Sequence, residues 1–149
     1  MIKVTQDILL VEDNPADVEL ILDALSETHA AHQVKVLRDA EEAIDYIFKT
    51  GPYRSDGGCR TPKLIFLDLD LPKIDGLEIL RRIRSNKQTR KIPVAILTSS
   101  LMDKDRIESY NLGVNNYIMK PVCCDNFARD CVAMFLKAIV MNESLPRAK

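Results

Sequence analysis

Five short apolar runs alternate with five segments of helical periodicity along the chain, and this alternation restricts the fold more than any other feature. "DILLVED" (7–13), "QVKVLR" (33–38), "KLIFLD" (63–68), "IPVAILTSS" (92–100) and "VNNYIMK" (114–120) read as strands. "PADVELILDALSE" (15–27), "DAEEAIDYIFKTG" (39–51), "GLEILRRIRSN" (76–86), "DKDRIESYNLG" (103–113) and "DNFARDCVAMFLKAIVM" (125–141) read as helices. Asn14 is placed to cap the first helix, with Pro15 at its first position. Asp39 is placed to cap the second, and Gly51 to end it. In the third, Leu77, Ile79, Leu80 and Ile83 point inward, while Arg81, Arg82 and Arg84 suit the negative end of the helix dipole. Gly113 closes the fourth, and residues 52–62 form a long loop of turn residues. Strict alternation argues for an α/β fold, a five-stranded parallel sheet with helices on both faces.

The polar residues collect at the carboxyl ends of the expected strands. The first strand ends in Glu12 and Asp13, the third in Asp68, the fourth in Thr98, Ser99 and Ser100, and the fifth in Lys120 and Pro121. Ligands of open α/β sheets bind outside those ends, where the strand order reverses. In the order 2-1-3-4-5 the reversal falls between the strands that carry the three acids. Three neighbouring carboxylates repel one another and call for a cation. Hard oxygen ligands with incomplete coordination suit Mg²⁺, with Lys120 balancing the charge that remains. Phosphoryl transfer by positioning and charge neutralisation is the chemistry this set suits.

A chain of 149 residues with an apolar fraction of 46% builds one domain, 1–149, with no linker to an output domain. A net charge of −1 argues against nucleic acid as a partner. No apolar run approaches the roughly 20 residues that span a bilayer, and "MIKVTQD" is no secretory signal. The expected location is therefore cytoplasmic, away from the membrane. Cys59, Cys123, Cys124 and Cys131 lack clamp spacing and read as free thiols; His29 and His32 read as a helix end and a loop.

"LLVEDN", "IFLDLDLPKIDG", "ILTSS" and "YIMKP", in this order and spacing, resemble the receiver domain of two-component response regulators over roughly residues 6 to 142. The resemblance implies the flavodoxin-like receiver fold with sheet order 2-1-3-4-5. It implies Asp68 as phosphoacceptor from a histidine kinase, and Glu12, Asp13, Asp68 and the Asp70 backbone carbonyl as Mg²⁺ ligands. It further implies Thr98 as switch hydroxyl, Lys120 as phosphoryl partner, Tyr117 as the aromatic that swings inward, and a cis bond before Pro121. Asp70 and Ser100 stand where receivers tune phosphoryl lifetime. The 52–62 loop and the wording around it resemble stand-alone receivers that partner bacterial phytochromes. Such a chain is a phosphoacceptor switch that assists only its own phosphorylation and dephosphorylation, with output through protein contact.

"DLDLP" also resembles the DxD signature of haloacid-dehalogenase-type phosphatases, which would make Asp70 an acid/base. That motif belongs on a first strand, carries Thr or Val where this chain has Pro72, and needs an acidic pair after the lysine. Those three departures favour the switch. On the last helix, Phe127, Cys131, Met134 and Ala138 line the face for the sheet. Val132, Leu136, Ile139 and Val140 cluster opposite and predict an interface, a homodimer or kinase-docking surface using helix 5 and strand 5.

Overall fold

The computed structural model describes residues 8–26, 34–54, 61–99, 102 and 112–120. Strands β1 (Ile8–Val11), β2 (Val34–Leu37), β3 (Leu64–Asp68), β4 (Val94–Thr98) and β5 (Asn116–Met119) form one parallel sheet in the order β2-β1-β3-β4-β5. Helices α1 (Pro15–Ser26), α2 (Ala40–Phe48) and α3 (Gly76–Ser85) connect the strands, with a 3₁₀ turn at Gly51–Tyr53. Of the expected helix at 103–113 only Leu112 and Gly113 are described, neither of them helical, and the expected helix at 125–141 lies outside the described residues, as do the four cysteines and both histidines.

Every residue of β1, β3 and β4 is buried. Successive side chains on a strand point to opposite faces, so each run feeds two cores. Ile8, Leu10, Leu64, Phe66, Ala95 and Leu97 pack against Val18, Ile21, Ala24 and Leu25 of α1. Leu9, Val11, Ile65, Leu67, Val94 and Ile96 pack against α2 and α3, the latter through Leu77, Ile79, Leu80 and Ile83. The sheet therefore carries α1 on one face and α2 and α3 on the other.

The helix starts follow the sequence. Asn14 Oδ1 accepts the Ala16 and Asp17 N–H groups at 2.9 and 3.1 Å. Asp39 accepts the Glu42 N–H at 3.1 Å. The end of α2 does not follow it. The helix stops at Phe48, and Lys49, not Gly51, takes the left-handed conformation of the cap (φ 59°). Thr50 then donates its N–H to the Asp45 carbonyl at 2.9 Å and its hydroxyl to the Asp45 carboxylate at 2.7 Å, which closes the helix early. Gly51, two residues on, is also in the left-handed region (φ 55°), which side chains rarely adopt, and a Cβ there would meet the Asp45 carboxylate.

Arg84 holds the far side of the sheet in register. Its guanidinium donates to the carbonyls of Arg90 and Ile92 before β4, and of Leu112 and Gly113 before β5, at 2.8 to 3.0 Å. Arg81 and Arg82 instead stay exposed and pair with Glu78. Val94 and Asn115 add a reciprocal pair: the Asn115 N–H donates to the Val94 carbonyl and the Val94 N–H to Asn115 Oδ1, both at 2.9 Å. These contacts set the height at which β5 delivers Lys120 beside β4.

Candidate functional site

Parallel pairing brings the strand ends to one edge. Val11 is level with Leu67, so Glu12 follows β1 beside Asp68, the last residue of the central strand. Asp68 is level with Leu97, and Thr98 ends β4 one step beyond. The Lys120 N–H donates to the Thr98 carbonyl at 2.8 Å and carries the ladder past Met119. The loop after β3 passes close under α3, and Gly76 permits it: a Cβ there would lie 2.7 Å from Leu69 Cα and 2.9 Å from the Asp68 carbonyl oxygen. Asp75 caps α3 by accepting the Leu77 N–H at 3.0 Å.

Glu12 and Asp68 are fully buried, Thr98 nearly so, and Asp13 is half-buried. Lys120 Nζ lies 3.1 Å from Asp68 Oδ1 and 3.3 Å from both Glu12 Oε2 and Asp17 Oδ2. Asp68 Oδ1 also accepts the Asp70 N–H at 2.9 Å, and Glu12 Oε2 the Asn14 N–H at 3.2 Å. The other two oxygens, Glu12 Oε1 and Asp68 Oδ2, are buried with no hydrogen-bond partner among the described residues. A buried polar atom without a partner costs about 1–3 kcal/mol, more when it is charged. Glu12, Asp13 and Asp68 can each turn one oxygen to within 4.8 Å of the others. An all-oxygen, strongly anionic donor set with unsatisfied buried oxygens fits a hard divalent cation.

The cluster perturbs its own protonation. Burial first, then the neighbouring Asp68 carboxyl, push Glu12 up to about 8, with Lys120 pulling the other way. Burial disfavours the Lys120 ammonium, but Asp68 and Glu12 outweigh it and hold Lys120 above the ordinary lysine range.

Glu12 thus keeps a proton when folded that it releases when unfolded. In metal-free protein its contribution to stability is fully present below about pH 4.5 and is lost as pH rises toward 8. A divalent ion needs the carboxylate. We expect about one proton released per ion bound at pH 6 to 7, and affinity that climbs up to about pH 8. Calorimetry in buffers of different ionisation heat measures this; binding heats independent of the buffer would refute it.

Asp70 is exposed at the rim, where its Oδ2 accepts the Ser99 hydroxyl at 3.1 Å. Tyr117 is half-buried on the α2–α3 face, level with Ile96. Ser100, Pro121 and the interface residues Val132, Leu136, Ile139 and Val140 lie outside the described residues. Asp17 was not anticipated as a site residue. An acid in the first turn of a helix is already accounted for by the dipole, so its sequence signal points nowhere else.

Residues 8–129 match the family model described as the response regulator receiver domain. The chain belongs to this family. Response regulator Rcp1 of Synechocystis sp. is 42% identical over 113 residues, 76% of this chain and 75% of that protein. A structure of Rcp1 in its Mn²⁺-bound form superposes with a TM-score of 0.68 at 36% identity, covering 93% of this receiver and 91% of that chain. The bacteriophytochrome response regulator RtBRR gives a TM-score of 0.77 at 43% identity, covering 87% and 78%. The phosphorylated cyanobacterial phytochrome response regulator RcpA gives 0.71 at 38%, covering 89% and 91%. This receiver has the sheet order and flavodoxin-like fold expected, and Glu12, Asp13 and Asp68 form an acidic cluster that could hold a metal ion. Among the described residues no helix is long and apolar enough to cross a membrane.

Proposed function

We propose that this chain is a single-domain response regulator that accepts a phosphoryl group on Asp68 from a histidine kinase and signals by protein contact. The observation that carries this reading is the Asp68 carboxylate, buried at the end of the central strand, with Lys120 at 3.1 Å on one oxygen and no hydrogen-bond partner among the described residues on the other. A carboxylate oxygen attacks phosphorus, the bond to the kinase histidine nitrogen breaks, and an acyl phosphate forms. Glu12, Asp13, Asp68 and the Asp70 carbonyl would hold Mg²⁺. Bound there, the ion neutralises charge on the phosphoryl oxygens. Lys120 turns to the phosphoryl group, the Thr98 hydroxyl follows, and Tyr117 fills the space left behind. Asp70 and Ser100 tune how long the group stays.

The likeness to phytochrome response regulators supports a bacterial phytochrome as the kinase. Helix 5 and strand 5 supply the homodimer or docking surface, and the protein acts in the cytoplasm. It turns over no substrate beyond its own acyl phosphate. The test uses acetyl phosphate with Mg²⁺, then transfer from a phosphorylated phytochrome-type kinase. The expected product gains one phosphoryl group, is cleaved by hydroxylamine and fails to form in EDTA. An acid-stable label, or one indifferent to EDTA, would sink the assignment.

A further inference from the structure

Lys120 has three N–H donors, and three carboxylates stand within 3.3 Å of its nitrogen. To meet a phosphoryl oxygen it must release one of them. Two of the three, Glu12 and Asp68, belong to the trio suited to the divalent ion; Asp17 does not. Asp17 is also not spent on its own helix start. The N-cap N–H of Asn14 donates to Glu12 Oε2, and the Ala16 and Asp17 N–H groups go to Asn14 Oδ1. Its carboxylate is turned across the cleft to the far strand. Both partners are mostly shielded, with side chains 16% and 12% exposed, so solvent screens their attraction only partly.

We infer that Asp17 is a positioning residue that holds Lys120 back in the unphosphorylated protein and competes with the phosphoryl group for it. The inference rests on Asp68 as phosphoacceptor. Two effects act in the same direction: removing the Asp17 charge frees the ammonium and removes a repulsion toward an incoming anion. Asp17→Asn is therefore expected to tighten beryllofluoride binding, at saturating Mg²⁺, by about three- to tenfold, as loss of a partly shielded ion pair allows. Fluorine nuclear magnetic resonance of the bound fluoroberyllate reads this directly. The KM for acetyl phosphate should fall by a similar factor with a smaller change in kcat. Asp17→Glu keeps the charge and should stay within about twofold of wild type.

A role confined to the helix start would lower the melting temperature of Asp17→Asn and leave beryllofluoride affinity unchanged; Asp17→Ser provides the same comparison with a good helix starter. Unchanged or weaker binding in both variants, with the wild type binding normally, overturns the role of Asp17 alone. A wild type that binds no beryllofluoride overturns the phosphoacceptor reading first, and this inference with it.

Discussion

Asp68→Asn is expected to abolish phosphoryl labelling and, in EDTA, to make the protein more stable. The first effect follows because an amide oxygen is too weak a nucleophile to form the acyl phosphate, and mass spectrometry after acetyl phosphate treatment should show no gain. The second follows from the geometry. Asp68 Oδ1 accepts from Lys120 and from the Asp70 N–H, and an amide oxygen can keep both bonds. The amide nitrogen replaces Oδ2, the buried oxygen with no partner among the described residues. It also removes a negative charge from a cluster whose carboxyl groups stand within 4.8 Å of one another. Relief of one such group is worth about 1–3 kcal/mol, a rise in melting temperature of several degrees for a domain of this size. Mg²⁺ should stabilise the variant less than the wild type. Label that persists would place the acceptor elsewhere, and a less stable variant would mean that the orphan oxygens carry no penalty.

Lys120→Met is expected to produce the opposite change in stability. The ammonium lies within 3.3 Å of Glu12, Asp17 and Asp68, two of which are fully buried. Met keeps much of the apolar stem and deletes the charge. Removing one side of a buried ion pair costs about 3–5 kcal/mol, because the remaining charge stays out of water without a partner. The loss should stay nearly constant between pH 6 and 7 and grow as pH rises through 8, where the wild type releases the Glu12 proton and the variant does not. Lys120 opposes the upward push on Glu12, so without it the carboxyl holds its proton still more tightly and the unfolded state gains more from releasing it. Urea denaturation in EDTA at pH 6 and pH 9 measures both the size and the slope. Saturating Mg²⁺ should restore most of the loss by neutralising the same carboxylates, while beryllofluoride affinity stays weaker by more than about tenfold, as for a lost charge-assisted contact. A loss below about 1 kcal/mol in EDTA, the range of an exposed pair, would show that Lys120 does not neutralise the cluster.

Much of the fold was legible because its causes are local. Runs such as "LIFLD" bury both faces of a strand, and the spacing of Leu77, Ile79, Leu80 and Ile83 marks one side of a helix. Short-range chemistry likewise showed in the Asn14 and Asp39 caps. The position of Glu12, Asp13, Asp68, Thr98 and Lys120 was legible for a topological reason. Parallel strands all point their carboxyl ends to one edge, so residues marked as strand ends in one dimension meet in three. What the sequence alone left undetermined depends on contacts between distant segments. Thr50 reaching back to Asp45 moved the end of α2 to Lys49, although Gly51 is the stronger stop signal. Arg84, one of three arginines on α3, turns inward because four carbonyls of two other loops converge on it. Asp17 became a partner of Lys120 only once β5 was placed beside β4 and α1 beneath them. A side chain's nearest charge across a cleft is a property of the packed chain, and no local pattern records it.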